Sequence, residues 1–260
     1  MLETVNLKHS LSKAAYTRQM FKLQERMHRL QYELQAAEIP VIICMQGWNC
    51  AGKGRAIKKL MEKLDPRLFR VHPGKAPSKL ERGYHFLWRY QVVLPNDGEI
   101  ALFDHSWYGR VLVERCDKLT PAKEWREAYQ QINEFEEWLA DDGQVVIKFW
   151  MHISKAEQKK RYRACEKDPL LKWKITKEYK RHHRNYDEWT EAVEDMLAKT
   201  DTAYAPWSVI EANDLNWARV KVFEVLVQRC EEALARKAAD KSDQIKIVPP
   251  SKDPQEAARA

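Results

Sequence analysis

Gly47, Gly52 and Lys53 fit the pattern G-x-x-x-x-G-K, with Trp48, Asn49, Cys50 and Ala51 between the glycines and Gly54 where a Ser or Thr ordinarily follows. Glycines at both ends let the backbone curl until the N–H groups of the loop, from Asn49, Cys50 and Ala51 through Gly54, converge on one anion. A helix starting at the lysine directs its positive end to the same point, and Lys53 adds a full charge. This is the chemistry of holding a phosphate chain. The alternative is a glycine turn that merely joins a strand to a helix, with Lys53 on the surface. The apolar run at residues 41–45 just ahead of the loop argues against it, because strand, loop and helix then follow in the order that phosphate binding needs.

The missing hydroxyl at position 54 removes a usual magnesium ligand, so a metal must rely on other oxygens. Asp104 follows the apolar run Ile100, Ala101, Leu102, Phe103, as an acid at the end of a parallel strand, where α/β folds place their ligands. It is the expected metal ligand, and the same carboxylate can also cap a following helix.

Several elements must position these groups. Residues 10–36 carry Ala15, Met20, Leu23, Met27, Leu30 and Leu34 at helical spacing and predict a long amphipathic helix packed on the core. Pro40 ends it. Apolar runs at 41–45, 100–103, 145–150 and 207–210 alternate with helical patterns such as 122–139, which implies βαβ crossovers, a central parallel sheet and an α/β fold. Further helices are expected at 154–164, 177–199 and 214–235. Residues 236–260, charged and with Pro249 and Pro250, are expected to be a disordered tail, leaving 37–235 as one domain.

Lys and Arg number 45 against 38 Asp and Glu in 260 residues, a formal charge of +7 that suits a phosphate-rich partner. Cys44, Cys50, Cys116, Cys165 and Cys230 are scattered and contain no Cys-x-x-Cys pair, so neither a disulfide framework nor a zinc site is indicated and a cytoplasmic setting is expected. No run approaches the roughly 20 apolar residues of a membrane span.

The loop at 47–54, the segment Asp104-His105-Ser106-Trp107-Tyr108-Gly109-Arg110 with its continuation to Arg115, and residues 148–154 resemble the polyphosphate kinase 2 family. Asp168-Pro169 with Trp173-Lys174, and Ala205-Pro206-Trp207, extend the likeness from about residue 15 to 230. The resemblance implies a three-layer P-loop kinase fold like thymidylate kinase, with a helical lid at about 154–176. It implies dependence on Mg²⁺ (or Mn²⁺) and phosphoryl transfer between inorganic polyphosphate and AMP or ADP, with guanine nucleotides as further acceptors. Residues 109–114 look most like the subgroup that makes ADP from AMP. By the same likeness the loop backbone and Lys53 hold phosphate, Asp104 the metal and Arg110 the transferring group. Arg89, Arg115, Arg161 and Lys174 line the phosphate path, although a solvated helix surface is the alternative for Arg115 and Arg161. A homodimer or homotetramer is expected.

The sequence departs from the family pattern at Asn49, where Asp is usual, at His105 for Arg, at Cys165 and Leu171 for Arg and Lys, and at Val92 and Val93. Every departure removes charge. Three readings follow: an active polyphosphate-dependent nucleotide kinase, a degenerate relative that binds without turnover, and, last, a basic nucleic-acid-binding protein that would leave the glycine loop unexplained. Cys50, beside a helix N-terminus and Lys53, is expected to favour its thiolate. Adjacent His182 and His183 lack metal-ligand spacing. Trp48, Trp88 and Trp107 are either core residues or adenine neighbours.

Overall fold

A computed structural model of the chain describes residues 2–247, with side chains to residue 240 apart from that of Lys174. Five strands, β1 (Val41–Gly47), β2 (Phe69–Pro73), β3 (Ile100–Asp104), β4 (Val145–His152) and β5 (Trp207–Glu211), form one parallel sheet in the order β2-β3-β1-β4-β5. The order reverses at β1, so its C-terminal end opens onto the crevice between two oppositely wound halves. All eight residues of β4 are buried, as are six of seven in β1, which requires helices over both faces of the sheet.

The helices are α1 (Lys13–Ala36), α2 (Lys53–Met61), α3 (Trp88–Gln91), α4 (Val113–Cys116), α5 (Ala122–Asp141), α6 (Lys155–Lys167), α7 (Lys177–Arg184), α8 (Tyr186–Thr200) and α9 (Leu215–Ile247). Ser12 starts α1 by accepting a hydrogen bond from the Ala15 N–H. Met20, Met27, Leu30 and Leu34 then form its buried stripe, and α1 lies along α9. On the other side α5 packs on α8 and β4.

Three expectations change. Strand β2 adds to the four apolar runs: Arg70, His72 and Pro73 break its apolar character, which an edge strand tolerates because only one side pairs. The single helix expected over 177–199 divides at Asn185 into α7 and α8. Helix α9 runs past residue 235, where the sequence predicts the start of a disordered tail. Residues 248–260 of that tail, and the side chain of Lys174, lie outside the described residues.

Candidate active site

Strand β1 delivers Gly47 against β4, where φ is +146° and a Cβ would sit 2.6 Å from the Met151 carbonyl oxygen. At the far end Gly52 turns the chain into α2 with φ +107°, and a Cβ there would meet Leu215 Cδ2 at 2.6 Å. Both positions therefore need glycine. A Cβ at Gly54 would meet nothing within 4 Å, so the lack of a hydroxyl there is a chemical choice and not a steric one.

The loop's own polar groups are sorted by its neighbours. The Trp48 N–H donates to Met151 O at 3.1 Å and the Ala51 N–H to Trp48 O at 3.1 Å. Among the described residues nothing accepts from the N–H groups of Asn49, Cys50, Gly52, Lys53 or Gly54. Arg161 of α6 explains how they are held. Its guanidinium donates to Cys50 O (2.9 Å), Ala51 O (3.2 Å), Ala212 O (2.7 Å) and Asn213 O (2.8 Å), while Nε donates to Glu157. In a trans peptide the C=O and the next N–H point opposite ways, so drawing these carbonyls toward Arg161 turns the Gly52 N–H away from it. The free N–H groups of the loop form an anion cradle.

Lys53 is buried and folds back on its loop, donating to Gly47 O at 2.7 Å and Trp48 O at 3.2 Å. Burial holds its ammonium below the usual lysine range, and the charge of Asp104 opposes that shift. Register places Asp104 beside Met45, one strand over from the loop. Burial raises the Asp104 carboxyl and Lys53 lowers it, while Asp104 Oδ1 is buried with no hydrogen-bond partner. An unpartnered buried carboxylate oxygen beside an anion cradle fits a divalent cation, which Asp104 would hold and which would supply charge neutralisation there.

His105 follows with φ +65° and stands at the junction of two clefts. Burial, then Lys53 and His182, push it down to about 3. One cleft runs between the loop and α7 past Asn49, Tyr179 and His182. The other runs along β2 past His72, Lys75 and Arg89, of which Arg89 also pairs with Glu81 at 3.4 Å.

Two expected phosphate-path residues are committed inside the fold. Arg161 is the loop brace just described. Arg115 donates to Asp195 (2.7 Å) and to the Tyr129 hydroxyl (2.9 Å) and stacks over Trp125, tying α4 to α5 and α8. Arg110 is held by Glu114 and Thr120 at 2.8 Å each and lies over Phe86, with its Nε buried and unpartnered. The expected Cys50 thiolate is corrected: burial, and contact with Cys165, push the thiol up to about 12 and outweigh Lys53. Trp48 and Trp107 are core residues. Trp48 stacks on Tyr186 at 4.2 Å and donates to His152 Nδ1 at 3.0 Å, and Trp107 is fully buried.

Sequence reasoning missed Gln158, His152 and the role of His182. Asn49 Nδ2 lies 3.2 Å from His182 Nδ1, and His182 Nε2 lies 3.1 Å from Asp117 Oδ2. It also missed the support under Asp104. Glu136 of α5 accepts from Trp107 Nε1 (2.9 Å) and the Tyr108 hydroxyl (2.7 Å) and pairs with Lys148 of β4 at 2.7 Å, all wholly buried.

A parallel sheet whose central strand enters a glycine loop and helix, with a carboxylate ending the adjacent strand, defines a P-loop kinase fold. Residues 10–238 match the family model described as polyphosphate kinase 2, and the chain belongs to that family. It is 38% identical over 236 residues to a polyphosphate:AMP phosphotransferase of Pseudomonas syringae pv. tomato, covering 91% of this chain and 47% of that protein. It is 36% identical over 219 residues to an ADP-polyphosphate phosphotransferase of Pseudomonas aeruginosa, covering 84% and 72%. The crystal structure of polyphosphate kinase 2 from Arthrobacter aurescens TC1 superimposes with a TM-score of 0.85 at 29% identity, covering 89% and 85%. The chain thus spans about half the length of the polyphosphate:AMP phosphotransferase it matches. No helix among the described residues is long and apolar enough to cross a membrane.

Proposed function

We propose that this chain is a polyphosphate-dependent nucleotide kinase, moving a phosphoryl group between inorganic polyphosphate and a nucleoside mono- or diphosphate, with the AMP/ADP pair favoured. The observation that carries this reading is the row of free loop N–H groups beside the unpartnered Asp104 oxygen. Phosphoryl transfer asks for in-line placement and charge neutralisation more than for covalent chemistry, and that arrangement supplies both. The loop N–H groups and Lys53 hold the phosphate chain. Asp104 holds Mg²⁺ or Mn²⁺, which when bound neutralises charge on the phosphate oxygens. Arg110, once released from Glu114, meets the transferring group, and Arg89 with Lys75 borders the path of a second phosphate-bearing ligand. The segment at 154–176 closes over the site as a lid, and a cytoplasmic homodimer or homotetramer completes the proposal.

A second reading has its own support. Asn49 is a neutral amide bonded to His182 and His105 is a neutral imidazole, so the cleft carries less charge than phosphoryl transfer ordinarily uses. This reading is a polyphosphate- or nucleotide-binding subunit without turnover. Incubation with Mg²⁺, long-chain polyphosphate and either AMP or ADP, followed by chromatography, separates the two. ADP or ATP formed only in the presence of polyphosphate supports the kinase; retained polyphosphate binding without product supports the binding subunit.

A further inference from the structure

The adjacent histidines of α7 have no part in the chemistry above, yet His182 contacts the loop residue Asn49 directly and His183 contacts Gln158, which holds the same residue. His182 is 6% exposed and packs against Trp189 at 4.2 Å between ring centroids. Its Nε2 lies 3.1 Å from Asp117 Oδ2, and the Asp117 carboxylate also accepts from Arg181 at 3.1 and 2.6 Å. In the Nε2–H tautomer, which donates to Asp117, Nδ1 is the acceptor for the Asn49 amide N–H at 3.2 Å. His183 lies 2.7 Å from Gln158 Oε1, and the Gln158 amide N–H reaches Asn49 O at 3.4 Å. Gln158 is 1% exposed and has no water to turn to. A single phosphate-loop residue is thus held twice, its side chain by His182 of α7 and its main chain by Gln158 of α6, which His183 in turn contacts.

The two grips have different consequences. Holding Asn49 O toward Gln158 turns the Cys50 N–H the opposite way, into the cradle. Holding Asn49 Nδ2 fixes which end of the amide is given to His182, so the side chain cannot flip in the cleft that it lines.

We propose that His182 is a positioning residue of the phosphate loop: oriented by Asp117, it fixes the Asn49 amide, and with His183 acting through Gln158 it couples α7 to the loop so that α7 and the cradle are ordered together. This rests on the loop being the phosphate site but not on turnover. An amide at position 49 needs a partner to have a defined orientation, and the histidine supplies it.

The test combines a spectrum with a mutant cycle on the full chain. A long-range ¹H–¹⁵N spectrum at neutral pH should show His182 as the Nε2–H tautomer, with Nδ1 moving downfield toward a free acceptor in Asn49→Ala. Affinity for long-chain polyphosphate with Mg²⁺ should fall about tenfold in His182→Ala and recover most of that loss in His182→Gln, whose carbonyl can accept from the same amide. The double variant Asn49→Ala/His182→Ala should bind no more weakly than Asn49→Ala alone. Additive losses, or a His182 signal of the other tautomer, would overturn the proposal. Should His182→Ala not fold, His182→Leu, which keeps bulk against Trp189 but offers no acceptor, takes its place in the cycle. A wild-type chain that binds polyphosphate without turnover sinks the kinase reading and leaves this cycle intact, since it reads binding; a chain that binds none sinks both.

Discussion

Arg161 shows how a residue can serve a phosphate site without touching phosphate. Its guanidinium spans carbonyls of the glycine loop and of the turn ahead of α9, so its loss frees both segments at once. Arg161→Ala should cost about 3 kcal/mol by urea denaturation and weaken polyphosphate binding by about tenfold or more. Arg161→Lys should rescue little, because one ammonium cannot reach both pairs of carbonyls. His152 sets a pH limit. Burial pushes it from 6.5 to about 4, against the pull of Glu194, and its Nδ1 accepts from Trp48. The unfolded residue binds a proton near 6.5 and the folded one only near 4, so this contribution is intact above about 6.5 and is lost as pH falls toward 4. The loss approaches about 1.4 kcal/mol per pH unit inside that window, and His152→Gln, which keeps an acceptor for Trp48, should flatten the wild-type curve between pH 7 and 5. The cradle residues Gly47, Gly52 and Lys53 were legible because glycine loops need those types at that spacing. His182, Gln158 and Arg161 act through contacts more than 100 positions away from the loop, and local spacing carries no signal for those.

Among the elements, the turn after β3 has a rigid foundation. Glu136 and Lys148 are 0% exposed and paired at 2.7 Å, and Glu136 also takes Trp107 and Tyr108, the residues that continue the chain from Asp104 and His105. Burial raises the Glu136 carboxyl while Lys148 and these donors lower it, so the pair stands only as a pair. Glu136→Gln leaves the Lys148 ammonium uncompensated and should cost about 3 to 5 kcal/mol, read as a shift in denaturation midpoint. Glu136→Gln/Lys148→Met should recover a large part of that. A gain or no change in the single variant would show that the turn is not supported from below. Strands β1, β3 and β4 were visible as apolar runs because both of their faces are buried, and β5, although only Ile210 of it is buried, still carries Trp207, Val209 and Ile210. Strand β2 was hidden because an edge position tolerates an exposed Arg70 and a half-buried His72 stacked on Phe103, and the α7–α8 break at Asn185 carries neither glycine nor proline to announce it.

The chain as a whole is one parallel α/β unit, with α1 and α9 laid together across the sheet that presents the loop. The family's fold is kept where glycine geometry demands it and its charge is thinned at Asn49 and His105, so everything turns on whether the remaining groups suffice for transfer. ³¹P spectroscopy of one sample containing the wild-type chain, Mg²⁺, long-chain polyphosphate and AMP addresses that directly. A working kinase gives loss of polyphosphate signal with growth of the ADP β-phosphate resonance, absent without polyphosphate and absent in Asp104→Asn. Spectra that stay unchanged for a folded wild-type chain, or an Asp104→Asn variant that turns over as fast as wild type, would contradict the assignment.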